Sequence, residues 1–184
     1  MNEKQCNPRI VVITGAESTG KSILTLSLSE HYQCPCFTEY AREYIGNLNR
    51  NYLYEDVAII AEKQAAQYEQ AKKMKAPFVF FDTWLIITKV WFEVVYGKKP
   101  DWLEPFIRTS EIYLFLVCDV DLDWIPDPVR ENGGEMRKKL HQMYINNLKD
   151  YGFNYSVVTG SGEMRLRNAI NSINSHNLLN SLKS

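Results

Sequence analysis

The chain has 184 residues, with 21 Lys and Arg against 22 Asp and Glu, and a formal net charge of −1. At ~100–200 residues per domain this reads as a single domain over residues 1–184, able to bury roughly two thirds of its unfolded surface without disulfide or structural metal. Apolar residues at 45% and charged residues at 23% exclude a disordered chain, no apolar run reaches the ~18–20 residues of a membrane span, and near-neutral charge argues against a broad nucleic-acid footprint.

The N-terminal stretch has no apolar segment of leader length. The expectation is therefore a soluble, cytoplasmic protein that meets neither membrane nor nucleic acid, with a homo-oligomer left open. Cys6, Cys34, Cys36 and Cys118 have no metal-ligand spacing and read as reduced, packing thiols.

In chain order, Ile10–Ile13 is a β-branched run ended by Thr14-Gly15, a strand buried on both faces. Lys21 to Tyr32 suits a helix, and Cys36 to Thr38 a short second strand. Tyr54, Val57, Ala58, Ala61, Ala65 and Tyr68 recur every three or four residues, predicting one long amphipathic helix to about Lys75. Pro77 stops it, and Phe78–Phe81 is the next buried strand, ending at Asp82. Leu85 to Tyr96 reads as a helix closed by Gly97 and Pro100. Ile112–Val117 and Val157–Val158 supply the fourth and fifth strands, a helix starts near Glu163, and Asn174 to Ser184 reads as a fraying polar tail. Such alternation calls for right-handed crossovers, hence a three-layer α/β fold on a five-stranded parallel sheet, with its core over about 9–170.

Gly15-Ala16-Glu17-Ser18-Thr19-Gly20-Lys21-Ser22 satisfies GxxxxGK[ST] at every fixed position and joins a buried strand to a helix start. Glycines let the backbone fold around a phosphate so that successive N–H groups point inward, and the helix dipole adds to the field. Lys21 is expected on the β- and γ-phosphates and the Ser22 hydroxyl on Mg²⁺, with Thr25 one turn further along the same helix. The cofactors expected are ATP and Mg²⁺. Asp82, at the carboxyl end of its strand, is the second carboxylate of the phosphoryl-transfer site, for the metal's water shell or the substrate hydroxyl. As a favoured capping residue it also suits the start of the following helix.

Kinases exclude water, and residues 124–137 have the composition of a lid, with prolines, a Gly-Gly pair and two arginines. Arg130 and Arg137 are the candidate clamps on γ-phosphate charge, against the alternative of an ordinary solvated loop. Glu39, Tyr40 and Arg42 after the second strand, and Trp84 and Trp91 after Asp82, are the candidate substrate contacts. Aromatic faces can stack on a flat cationic ring, and carboxylates can take ribose hydroxyls. Gly160, just after the last strand, is placed beside the adenine.

Several blocks in order make the chain resemble the ribosylnicotinamide kinase domain of the bifunctional bacterial NadR-type proteins. They are the phosphate loop, Glu39-Tyr40-Ala41-Arg42-Glu43-Tyr44-Ile45, Phe80-Phe81-Asp82-Thr83, Thr88-Lys89-Val90-Trp91, Tyr96-Gly97, Trp124-Ile125-Pro126-Asp127-Pro128-Val129-Arg130 and Gly160. The resemblance covers Ile10 to about Arg167. It implies a fold like the thymidylate-kinase branch of P-loop proteins, and ATP-dependent phosphorylation of the ribose 5′-hydroxyl of nicotinamide riboside. Arg42 would then contact substrate or phosphate, and Trp91 would be the nicotinamide platform. The family's Asp-Thr-Asp is Asp82-Thr83-Trp84 here, so the second carboxylate is absent or moved. The adenylyltransferase and DNA-binding parts of the bifunctional proteins are not in this sequence, so the expected product is the mononucleotide and operator DNA is not an expected ligand. Two rivals stand beside this reading: a kinase for another nucleoside or deoxynucleotide, and a non-catalytic ATP-binding sensor.

Overall fold

The computed structural model describes residues 7–126 and 132–181. In chain order the elements are β1 (Arg9–Thr14), α1 (Lys21–Tyr32), β2 (Cys36–Phe37), α2 (Tyr40–Gly46), α3 (Tyr54–Ala71) and β3 (Phe78–Asp82). They continue with α4 (Leu85–Trp91), which runs into a π-helical turn at Phe92–Tyr96, then α5 (Leu103–Thr109), β4 (Leu114–Cys118), α6 (Gly134–Asp150), β5 (Tyr155–Val158) and α7 (Gly162–Ser181).

All five strands are parallel, in the order β2-β3-β1-β4-β5. Alternation along each strand divides the core into two layers. Val11, Ile13, Phe78, Phe80, Leu114 and Leu116 pack with Leu24 and Leu28 of α1 and Ala169 and Ile173 of α7. Ile10, Val12, Val79, Phe81, Phe115 and Val117 face the other way, onto residues of α3, α4, α5 and α6. With both faces covered, β1, β3 and β4 read as unbroken apolar runs.

Chain order reverses around β1, which has β3 on one side and β4 on the other. A crevice forms at the carboxyl ends of strands where connections diverge in this way. The register pairs Ile13 with Asp82 and Thr14 with Val117, so the segment leaving β1 has the end of β3 as its neighbour. The phosphate loop and Asp82 are thereby brought together although 60 residues separate them.

Three expectations change and one element is added. The polar C-terminal stretch does not fray at Asn174: α7 continues to Ser181, and Asn177 Oδ1 accepts hydrogen bonds from Arg9 Nη1 (2.8 Å) and the Tyr113 hydroxyl. Its polar residues are tethers to the sheet, which composition does not reveal. The lid reading over 124–137 gives way at its end, because α6 already starts at Gly134. The helix predicted over Leu85 to Tyr96 is α-helical only to Trp91. Finally, α5 was not visible, since only Leu103 and Ile107 anchor its seven residues.

Candidate active site

The loop between β1 and α1 takes its shape from backbone conformations that few residues tolerate. Gly15 has φ 141°, and a Cβ there would sit 2.7 Å from the Cys118 carbonyl oxygen. That conformation is essentially reserved for glycine. Ser18 and Gly20 also have positive φ, at 56° and 76°. Thr19 is buried and its hydroxyl donates to the Ala16 carbonyl at 2.8 Å; Lys21 Nζ donates to the same oxygen at 2.8 Å. Thr25 Oγ1 donates to the Lys21 carbonyl at 3.0 Å, bracing the first turn of α1.

Two arginines hold this loop from behind. Arg137, in the first turn of α6, is 7% exposed, and its guanidinium donates to the carbonyls of Glu17 (2.9 Å), Leu122 (2.7 Å) and Ser18 (3.1 Å). The clamp expected at Arg137 is thus a backbone brace of the phosphate loop, since helix α6 begins early and directs it there. Arg165 of α7 was not singled out in the sequence. It is buried, its guanidinium donates to the Thr19 carbonyl and to Asp121, and its Nε donates to the Gly160 carbonyl at 2.5 Å. Gly160 N donates in turn to Asp121 Oδ2 at 2.6 Å. Gly160 is therefore wired to the back of the loop and does not line the main cavity. Arg130 lies outside the described residues.

The segment after β4 docks on the loop's outer side. Glu17 accepts from the Asn132 backbone N and side-chain Nδ2, both at 3.0 Å, while Ser18 Oγ and Ile125 exchange hydrogen bonds at 3.1 and 3.3 Å. The segment read as a lid does supply contacts to the loop, through Ile125, Asn132 and Arg137.

A cavity of about 520 Å³ opens beside the loop, walled by Lys21, Ser22, Glu39, Arg42, Trp91 and Tyr144 among others. A smaller cleft of about 320 Å³ joins Ser22, Thr25, Glu39, Arg42, Glu43 and Asp82. Glu39, at the position before α2, and Arg42, in its first turn, face both spaces. Trp91 meets Tyr52 edge-on, with centroids 4.8 Å apart.

Asp82 is 3% exposed, and its pKa is pushed up to about 6, first by burial and then by Glu39, against the lowering pull of Lys21, a Ser22 hydrogen bond and Arg42. Its Oδ1 has no hydrogen-bond partner among the described residues. Burial likewise raises the Tyr144 hydroxyl, which stays a neutral donor in the cavity wall. Magnesium fits this donor set. The buried Asp82 oxygen and Ser22 hydroxyl offer two oxygens, and no cluster of three or more His, Cys, Asp or Glu competes among the described residues, so phosphate and water oxygens would complete the shell.

Two expected substrate contacts lie elsewhere. Trp84 is 1% exposed and packs on Tyr68 and Phe115 in the core, so the residue replacing the family's second carboxylate is a structural ring. Tyr40 is half-buried, lies tilted against Tyr44 with Lys63 above it, and lines neither cavity. Residues missed in the sequence include Arg50, Tyr52 and Gln64, which join the cavity wall from the α2–α3 connection and α3. None sits in a phosphate motif or beside a strand end.

The chain is similar to two curated proteins, each called trifunctional NAD biosynthesis/regulator protein NadR. It is 26% identical over 147 residues to that of Salmonella typhimurium (strain LT2) and 25% identical to that of Escherichia coli (strain K12). In each case 77% of this chain and 36% of the relative are covered, so the chain spans about a third of these proteins' length. Among solved structures, a NadR protein in complex with NR superposes with TM-score 0.78 at 23% identity, over 92% of this chain and 51% of that one. The deoxyadenosine kinase of M. mycoides superposes with TM-score 0.65 at 15% identity, over 90% of this chain and 99% of the other. These likenesses show the fold, that of P-loop nucleoside kinases. The model of the AAA domain family (AAA_28) matches residues 10–165, and the chain belongs to that family.

Proposed function

We propose that the chain is an ATP-dependent kinase that phosphorylates the ribose 5′-hydroxyl of nicotinamide riboside to the mononucleotide, a step of NAD salvage. The observation that carries this reading is a single cavity. It joins a phosphate-gripping loop to a carboxylate, a guanidinium and an aromatic wall, with a second carboxylate in the adjoining cleft. Two relatives named for NAD biosynthesis and a neighbour solved with NR support the choice of nucleoside. A neighbour solved with NAD and AMP-PNP supports ATP as the donor.

The residues divide the work. The loop amides and Lys21 hold the β- and γ-phosphates, placing positive charge where negative charge shifts during transfer. Magnesium, held by Ser22 and Asp82, would neutralise the same oxygens. Glu39 orients the 5′-hydroxyl and accepts its proton. The 5′-oxygen forms the new bond to phosphorus as the β–γ bridge breaks, and the bond's electron pair leaves with ADP. Arg42 steadies the moving phosphoryl group, and Trp91 offers a face to the cationic ring. Arg137 and Arg165 act on the loop's backbone, keeping its N–H groups aimed.

Fold likeness to a deoxyadenosine kinase keeps a second acceptor class in view. The purified chain is mixed with Mg-ATP and either nicotinamide riboside, deoxyadenosine or deoxycytidine, and products are identified by mass. Nicotinamide mononucleotide with equimolar ADP supports the proposal; phosphorylation of a deoxynucleoside alone replaces the substrate. ATP binding without acceptor-dependent ADP release would instead favour the sensor.

A further inference from the structure

Thr83, between Asp82 and Trp84, holds a backbone conformation that its own side chain resists. Its φ is 68°, in the left-handed region, where a branched Cβ crowds the main chain and glycine would sit without cost. Among the described residues only Ser18 and Gln33 are other non-glycine positions with positive φ, and Ser18 belongs to the phosphate loop. Strain of this kind persists where the surroundings over-determine it, and it gathers at functional sites. Two neighbours fix it here. The Thr83 N–H donates to the Ile13 carbonyl at 2.9 Å, tying it to the end of β1 where the loop begins. On its other side Trp84 is sealed in the core at 1% exposure.

What the strained turn delivers is a hydroxyl. Thr83 is 4% exposed and lines the large cavity, whereas Asp82 lines only the adjoining cleft. Its Oγ1 has no hydrogen-bond partner among the described residues, and it keeps a face open to the cavity. Buried polar groups are nearly always paired, so the partner of this one arrives with a ligand. Lys21, Ser22 and Arg42 share the wall, and the acceptor that such a set of donors gathers is phosphate oxygen. Asp82, next in the chain, faces the metal that bridges β- and γ-oxygens, so the phosphate beside Thr83 is the terminal one.

We propose that Thr83 is a catalytic residue whose hydroxyl donates to a non-bridging oxygen of the γ-phosphoryl group, and that its strained backbone fixes the hydroxyl before ATP arrives. The inference rests on the kinase reading above. A donor set in advance needs no reordering while charge shifts over the phosphoryl oxygens during transfer. The hydroxyl keeps its proton throughout.

The test uses the full chain and two readouts. Thr83→Val keeps the branched shape and removes the donor. It should lower kcat for nicotinamide riboside about tenfold or more, with KM for the riboside within about twofold. By calorimetry with magnesium it should weaken AMP-PNP binding about threefold or more and leave ADP binding unchanged, because only the former carries a γ-phosphoryl group. Thr83→Ser restores the hydroxyl and should recover most of both losses, which a merely structural role for the residue would not give. If Thr83→Val does not fold, Thr83→Ala removes the same donor with less crowding and must show the same two losses. A kcat within twofold of wild type in a folded variant without the hydroxyl, or an unchanged ratio of AMP-PNP to ADP affinity, overturns the inference. Should wild type phosphorylate no riboside, the substrate reading fails separately, and the AMP-PNP to ADP ratio alone then decides for Thr83.

Discussion

The guanidinium of Arg165 donates to the carbonyl oxygen of Thr19, so the phosphate loop is anchored by a cation on its protein side as well as prepared for an anion on the other. The same guanidinium pairs with Asp121, and both it and Asp121 bind Gly160, so one buried side chain couples α7, the segment after β5 and the loop. Arg165→Met should lower stability by about 2–4 kcal/mol in denaturant unfolding, since it strands the Thr19 carbonyl and leaves Asp121 without its ion pair. It should also raise KM for ATP more than it lowers kcat. Arg165→Lys should recover little of either, because one ammonium cannot replace a planar fork.

Asp82 predicts a pH dependence with a definite sign. Its carboxyl has a folded pKa of about 6 against an ordinary 3.8, so the charged form needed at the site grows as pH rises through about 6. Below that value kcat/KM should fall about tenfold per pH unit, unless saturating magnesium draws the titration lower. The folded state binds more protons than the unfolded state between those two pKa values, so stability falls as pH rises from about 4 to about 6. Asp82→Asn should therefore abolish activity while gaining about 1–3 kcal/mol at neutral pH. An active Asn variant would remove Asp82 from the chemistry.

Gly15 tests the loop's backbone. Gly15→Ala combines φ 141° with a methyl group 2.7 Å from the Cys118 carbonyl oxygen. It should cost more than about 2 kcal/mol and abolish ATP binding, whereas Gly46→Ala, in open space, should leave ATP binding unchanged. Calorimetry with Mg-ATP distinguishes them.

Trp84 separates core from site. Trp84→Ala should cost about 3–5 kcal/mol, as expected for a buried aromatic. Trp84→Phe, which keeps most of the ring packing, should leave KM for the acceptor within about twofold. A selective rise in that KM would return Trp84 to the substrate site.

The phosphate loop was legible because its chemistry is local: eight consecutive residues carry the glycines, the lysine and the hydroxyl. Strands β1, β3 and β4 were legible because burial on both faces writes itself as a continuous apolar run. Asp82 followed from its place at a strand end. What stayed hidden depends on residues far apart in the chain. Arg165 reads as one of two arginines on α7 until the fold lays it behind Thr19. Gln64 lies on a helix face of buried residues and joins the cavity wall only when α4 brings Thr88 opposite it. Arg137 and Trp84 were misplaced for the converse reason: residue type suggested a ligand contact, while an early helix start and the tight core directed both side chains into the protein.

The central claim is transfer of a phosphoryl group from ATP to a nucleoside hydroxyl in this cavity. Phosphorus NMR on one sample of chain, Mg-ATP and nicotinamide riboside follows it directly. The account predicts that the γ-phosphate signal is replaced by a phosphomonoester signal equal in amount to the ADP formed, and that Lys21→Ala slows this at least about a hundredfold. Release of inorganic phosphate regardless of the riboside, or no change in the ATP signals over folded protein, would contradict it.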